Sequence, residues 1–125
     1  MIRMLIADDH PIVRQRLKQL LVEGFPSAFC AEAFDTISLL SEVDKGEWDI
    51  IISDLAMPGG GGIVALEKIK QQRPALPVII ISSYPESQYA SRVINAGAAA
   101  FVSKDSADNE LVKTIKQILQ IDSPV

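Results

Sequence analysis

The chain predicts an α/β fold, a doubly wound parallel sheet with helices on both faces. Three observations carry that prediction. Ile50–Ile52 in WDIIISD and Val78–Ile81 in VIIIS are short, continuous apolar runs, the pattern of strands buried on both sides. Between such runs lie stretches with apolar residues at helical spacing. The alternation repeats five times in 125 residues, about 25 residues per unit. Strands that alternate with helices pair in parallel through right-handed crossovers.

Each element follows from its residues. Strand 1 is Met1 to Ala7 (MIRMLIA), stopped by Asp8-Asp9. Pro11 suits the first position of helix 1, which runs to about Glu23 on Val13, Leu17, Leu20 and Leu21. Gly24 fits just past its end, and Pro26 blocks continuation. Strand 2 is Ala28 to Ala33. Asp35 is the N-cap of helix 2, whose inner face is Ile37, Leu40 and Val43, and Gly46 ends it. Strand 3 is Ile50 to Asp54. Helix 3 begins near Gly62 or Ile63, packs through Ile63, Leu66 and Ile69, and ends before Pro74. Strand 4 is Val78 to Ser82. Pro85 starts helix 4, with Tyr89, Val93 and Ile94 inward and Gly97 closing it. Strand 5 is Ala100 to Ser103. Helix 5 spans about Ala107 to Ile121 on Leu111, Ile115, Ile118 and Leu119. One domain, residues 1–121, is expected, with 122–125 (DSPV) as a tail or the start of a linker.

Composition narrows the function. With 48% hydrophobic and 22% charged residues, the chain has a core and is not a disordered segment. A net charge of −4 disfavours direct contact with nucleic-acid phosphates. Cys30 is the only cysteine, so neither an intramolecular disulfide nor a multi-cysteine zinc site can form; within AFCAEAF it reads as a core thiol. No apolar run approaches ~18 residues, and the opening segment is too short for a signal peptide. A cytoplasmic protein is expected.

The strand ends carry the chemistry. Strand 1 delivers Asp8 and Asp9, strand 3 Asp54, strand 4 Ser82 and strand 5 Lys104, all to one edge of a parallel sheet. Ligands bind at that edge in open α/β folds. Two carboxylates about 4 Å apart repel by ~4 kcal/mol at an effective dielectric near 20, so three in one cleft either raise their pKa values or recruit a cation. All-oxygen ligation favours Mg²⁺. Lys104 offsets a further anion, Ser82 supplies a hydroxyl, and a carboxylate can form an acyl phosphate, so Asp54 is the nucleophile candidate.

These residues resemble the receiver domains of two-component response regulators. The matching features are Asp8-Asp9 after strand 1, Asp54 with Met57-Pro58-Gly59, Ser82 after strand 4 and Lys104 after strand 5; the resemblance spans essentially the whole chain. DDHPIVRQRLKQLL, Lys104-Asp105 and AGAAAFVSKDSADNEL look like the LuxR/NarL-type transcription regulators. The resemblance implies a flavodoxin-like (CheY-like) (βα)5 sheet of order 2-1-3-4-5. It implies Asp54 as phosphoacceptor for a sensor histidine kinase. It implies Mg²⁺ held by Asp9, Asp54 and the Ala56 backbone carbonyl, with Asp8 acting through water. Lys104 and Ser82 would contact the phosphoryl oxygens, and Phe101 would move inward with the serine, as a switch. Ala56 and Tyr84 fall where phosphate lifetime is tuned. His10 reads as a partner-facing or capping residue.

The same resemblance implies a signalling phosphoacceptor and not a turnover enzyme. It also implies dimerisation on phosphorylation, and DNA contact only through a helix-turn-helix output domain after residue 125, in a longer protein. The glycines at 59–62 exceed the family's usual number, and Gly61 stands where an acid is common, so a mobile loop is expected. Rival readings are a single-domain regulator, a pseudo-receiver docking module, a flavodoxin-type electron carrier and an aspartyl-phosphate hydrolase. Asp8-Asp9 would repel a flavin phosphate, and the hydrolases carry Asp-x-Asp where these acids are adjacent. No Gly-Lys-Ser/Thr loop supports a nucleotide triphosphatase.

Overall fold

Five strands form one parallel sheet in the order β2-β1-β3-β4-β5. They are β1 (Arg3–Ala7), β2 (Phe29–Ala33), β3 (Ile50–Asp54), β4 (Val78–Ser82) and β5 (Ala100–Ser103). The helices are α1 (Pro11–Gly24), α2 (Thr36–Lys45), α3 (Gly61–Gln72), α4 (Glu86–Asn95) and α5 (Ala107–Leu119), with a 3₁₀ turn at Lys104–Ser106. The structure, a computed structural model, describes residues 1–121, so the tail expected at 122–125 lies outside the described residues.

The period-2 alternation of the strands divides the core into two layers. Met4, Ile6, Ile50, Ile52, Ile79 and Ile81 face α1 and α5, meeting Leu17, Leu21, Leu111 and Ile115. Leu5, Ile51, Val78 and Ile80 face the other way, against Leu39, Val43, Leu66, Ile69 and Val93 of α2, α3 and α4. Burying each large aliphatic side chain contributes ~1.5–3 kcal/mol. Every residue of β3 and β4 is buried, as their unbroken apolar runs require.

Several details differ from expectation. β1 starts at Arg3 and not Met1, which is exposed. β2 starts at Phe29, one residue late. The inner stripe of α2 is Thr36, Leu39 and Val43, so Ile37 is 72% exposed. The helix is rotated because Thr36 turns inward, where its hydroxyl donates to the Gly61 carbonyl. Asp35 caps α2 as predicted, in a reciprocal box with Ser38. In α4, Val93 is buried and Tyr89 packs beside it, while Ile94 is exposed. Helix α3 begins at Gly61, slightly early, and α5 ends at Leu119, with Gln120 in a left-handed cap. Gly24 is the last residue of α1 and not the one beyond it. A Cβ there would lie 2.7 Å from Val112 Cγ2, so its value is close approach to α5. Cys30 is half-buried at the edge of one core layer, and burial pushes its thiol pKa up. Among the described residues no helix is long and apolar enough to cross a membrane.

Candidate functional site

Parallel pairing brings the carboxyl ends of β1, β3, β4 and β5 to one edge. Asp54 is the last residue of β3, in register with Ile81, and Ser82 is the last of β4, in register with Ser103. Lys104 therefore leaves β5 directly beside Asp54. Its Nζ lies 3.3 Å from Asp54 Oδ2 and 3.1 Å from Asp8 Oδ2. Asp8 is fully buried and Asp54 is 4% exposed.

The acids are held by local backbone groups. Asp8 Oδ1 accepts the His10 backbone N–H at 2.8 Å, and Asp54 Oδ1 accepts that of Ala56 at 3.3 Å. Arg14 Nη1 donates to the Asp8 carbonyl at 2.7 Å, fixing the turn from β1 into α1. Burial raises the pKa of Asp54, and the Asp8 charge raises it further, against the pull of Lys104 and the Ala56 N–H. Burial also works against the Lys104 ammonium, yet the carboxylates of Asp54 and Asp8 outweigh it and leave that pKa above the ordinary lysine value.

One ammonium does not balance three carboxylates. Asp8 Oδ2 is paired with the Lys104 ammonium at 3.1 Å, whereas the buried Asp9 Oδ1 accepts no hydrogen bond among the described residues and faces the His10 ring nitrogen at 3.1 Å. Ligand-type atoms of Asp8, Asp9, His10 and Asp54 lie within 4.8 Å of one another. Buried, anionic oxygens converging on one point fit a divalent cation. Asp8, Asp9 and Asp54 are the side chains that would hold it, and it would neutralise charge on an incoming anion.

The remaining predicted residues sit at the same edge with distinct surroundings. Ser82 is fully buried, and its Oγ accepts the Tyr84 N–H at 2.9 Å. Ser83 is exposed. Phe101 pairs with Ile80 and is half-buried against the α2–α4 layer. Ala56 is exposed at the mouth, and the exposed ring of Tyr84 leans on Tyr89 at 5.2 Å. His10 stands at the N-cap of α1 but makes no side-chain capping bond; its ring turns to the acids instead.

The glycine run shapes the loop after Asp54. Gly59, Gly60 and Gly61 have φ of 92°, 120° and 86°, which a side chain would strain. Gly62 fits because a Cβ would sit 2.4 Å from the Asp54 carbonyl oxygen. Thr36, which sequence reasoning missed, ties this loop to α2: its N–H donates to Pro58 O at 3.0 Å and its hydroxyl to Gly61 O at 3.3 Å. Only its place after the Asp35 cap marked it in the sequence.

Residues 4–116 match the response regulator receiver domain, and the chain belongs to that family. Its relatives include regulators of the LuxR/NarL type. It is 35% identical over 120 residues to the glycerol metabolism activator of Pseudomonas putida, covering 95% of this chain and 54% of that protein. The chain thus spans about half the length of the curated relatives it matches. A LuxR-family two-component response regulator from Aurantimonas sp. SI85-9A1 superposes with a TM-score of 0.87 at 35% identity, covering 94% of this chain and 84% of the other. The response regulator TrrA of Thermotoga maritima, in complex with Mg(2+)-BeF, superposes at 0.85 with 28% identity, covering 94% and 99%.

Proposed function

We propose that this chain is a phosphorylation switch in which Asp54 accepts a phosphoryl group from a sensor histidine kinase or a small acyl phosphate, with Mg²⁺ bound. The observation that carries the reading is Asp54 itself, buried, 3.3 Å from Lys104, and beside two further aspartates that share that one ammonium's edge of the sheet. That the superposing receiver TrrA forms a complex with Mg(2+)-BeF supports a role for Mg²⁺ in this reading.

Asp9, Asp54 and the Ala56 carbonyl would hold the ion, with Asp8 acting through its water, and the ion would supply charge neutralisation for the acids and the approaching phosphoryl oxygens. An Asp54 carboxylate oxygen attacks phosphorus, and the bond from phosphorus to the donor's nitrogen or oxygen breaks, its electron pair leaving with the donor. Lys104 steadies the phosphoryl oxygens. Ser82 exchanges its bond from Tyr84 for one donated to phosphate, and Phe101 follows inward. Water later cleaves the acyl phosphate and restores the carboxylate. The chain is a cytoplasmic signalling element whose only chemistry is on itself. Phosphorylation favours a homodimer, and DNA is reached only through a helix-turn-helix domain outside these residues, a reading supported by the LuxR-family likeness.

Mass spectrometry after incubation with acetyl phosphate and Mg²⁺ tests this. Wild type gains one phosphoryl group and Asp54→Ala gains none. No gain in wild type, or an undiminished gain in Asp54→Ala, overturns the reading.

A further inference from the structure

The loop after Asp54 has little of its own to hold it. Pro58, Gly59, Gly60 and Gly61 carry no polar side chain, and the three glycines sit at φ of 92°, 120° and 86° with much backbone freedom to lose. The flanks are fixed: Met57 is buried, and the Gly62 N–H donates to Leu55 O at 2.8 Å. Between them, among the described residues, the hydrogen bonds that reach residues 58–61 from elsewhere in the fold come from Thr36. Its N–H donates to Pro58 O at 3.0 Å and its hydroxyl to Gly61 O at 3.3 Å, so the two bonds bracket Gly59 and Gly60. Thr36 is only 2% exposed, an uncommon place for a hydroxyl. The reciprocal cap of Asp35 and Ser38 fixes it there, at the first position of α2, where a backbone N–H has no partner within the helix. The loop is fitted to it, since a Cβ on Gly59 would lie 3.3 Å from Thr36 Cβ. The same loop also faces the acids: Ala56, Met57, Pro58, Gly60 and Gly61 line one cleft with Asp9.

We propose that Thr36 is a positioning residue for phosphoryl transfer to Asp54: through its two bonds, α2 holds the glycine loop in the shape that presents the Ala56 carbonyl and the cleft wall to the reacting groups. The inference rests on the reading of Asp54 as phosphoacceptor. Thr36 makes no hydrogen bond to Asp54, so it acts through the loop alone. A glycine loop released from this clamp samples many shapes, few of them productive, and small misplacements of positioning groups cost rate steeply. The effect falls on the transfer step and not on donor binding. Packing alone would be preserved by a valine of the same shape.

Phosphorylation by acetyl phosphate at saturating Mg²⁺, followed by mass spectrometry over a range of donor concentrations, tests this. Thr36→Val keeps the shape and loses the hydroxyl. It is expected to lower the maximal rate by about five- to tenfold and to leave the half-saturating donor concentration within about twofold. Thr36→Ser keeps the hydroxyl and is expected to recover most of the rate. In the ion-free protein, NMR relaxation is expected to show backbone order at Gly59, Gly60 and Gly61 falling in Thr36→Val and held in Thr36→Ser. A Thr36→Val protein phosphorylated at the wild-type rate, a Thr36→Ser protein as slow as Thr36→Val, or loop order unchanged in Thr36→Val overturns the proposal. Circular dichroism checks folding, and Thr36→Ala supplies the same comparison if the valine variant does not fold. A wild type that is not phosphorylated ends the switch and this inference together; a phosphorylated wild type beside an equally fast Thr36→Val ends this inference alone.

Discussion

The two ends of the sheet are built from similar material and finished differently. At the amino edge, Arg3 is surrounded by partners. Its N–H donates to Asp49 Oδ2 at 2.8 Å, its Nε to Glu47 O at 2.7 Å, and its guanidinium lies 4.6 Å from the Phe29 ring and 5.2 Å from that of Trp48. The Trp48 indole N–H is satisfied by Glu42 O. At the carboxyl edge, three aspartates meet one lysine, which pairs with Asp8 and Asp54 and leaves the buried Asp9 Oδ1 without a hydrogen bond among the described residues. Stability alone would favour the first arrangement at both ends. Such a charge imbalance at one edge is what the proposed ion and phosphoryl anion would balance.

The largest test of that contrast is Lys104→Met. Removing the one cation from beside buried Asp8 and Asp54 is expected to cost about 3 kcal/mol or more in urea unfolding at neutral pH. Gly62→Ala comes next. Its Cβ would strike the Asp54 carbonyl, so a loss of about 2 kcal/mol is expected, with slower phosphorylation because the loop must shift. Arg3→Ala, the counterpart at the exposed amino edge, is expected to cost only about 1 kcal/mol and to leave phosphorylation unchanged. A larger loss from Arg3→Ala than from Lys104→Met would break the comparison.

Asp54→Asn changes the sign. Burial and the Asp8 charge raise the pKa of Asp54, so its folded-state advantage is present at acid pH and lost as pH rises through that raised value. The asparagine variant is therefore expected to be more stable than wild type, by a margin that grows from about pH 4 to neutrality. Thermal unfolding across that range checks it, and a margin that shrinks with pH contradicts the electrostatic account.

How much of this was legible in the residues depends on the range of the contact. β3, β4 and β5 have the expected bounds because each apolar run ends abruptly in a polar residue. The convergence of Asp8, Asp9, Asp54 and Lys104 follows from strand ends in a parallel sheet, which alternation alone implies. The face of α2 was misread because Ile37 looks like core and Thr36 does not. Thr36 turns inward to serve a loop 25 residues away, a contact no local pattern encodes. The turn of His10 toward the acids and the stacking of Phe29 on Trp48 are hidden for the same reason: both need side-chain directions set by tertiary packing.

The carboxyl edge is short of positive charge, with three aspartates beside Lys104. Thermal unfolding with and without MgCl₂, against NaCl of equal ionic strength, measures this most directly. Wild type is expected to gain stability with Mg²⁺, by about 2.7 kcal/mol when the ion is at a hundred times its dissociation constant, and Asp9→Asn is expected to lose most of that gain. Equal curves in the two salts, or a gain that survives Asp9→Asn intact, would contradict the account.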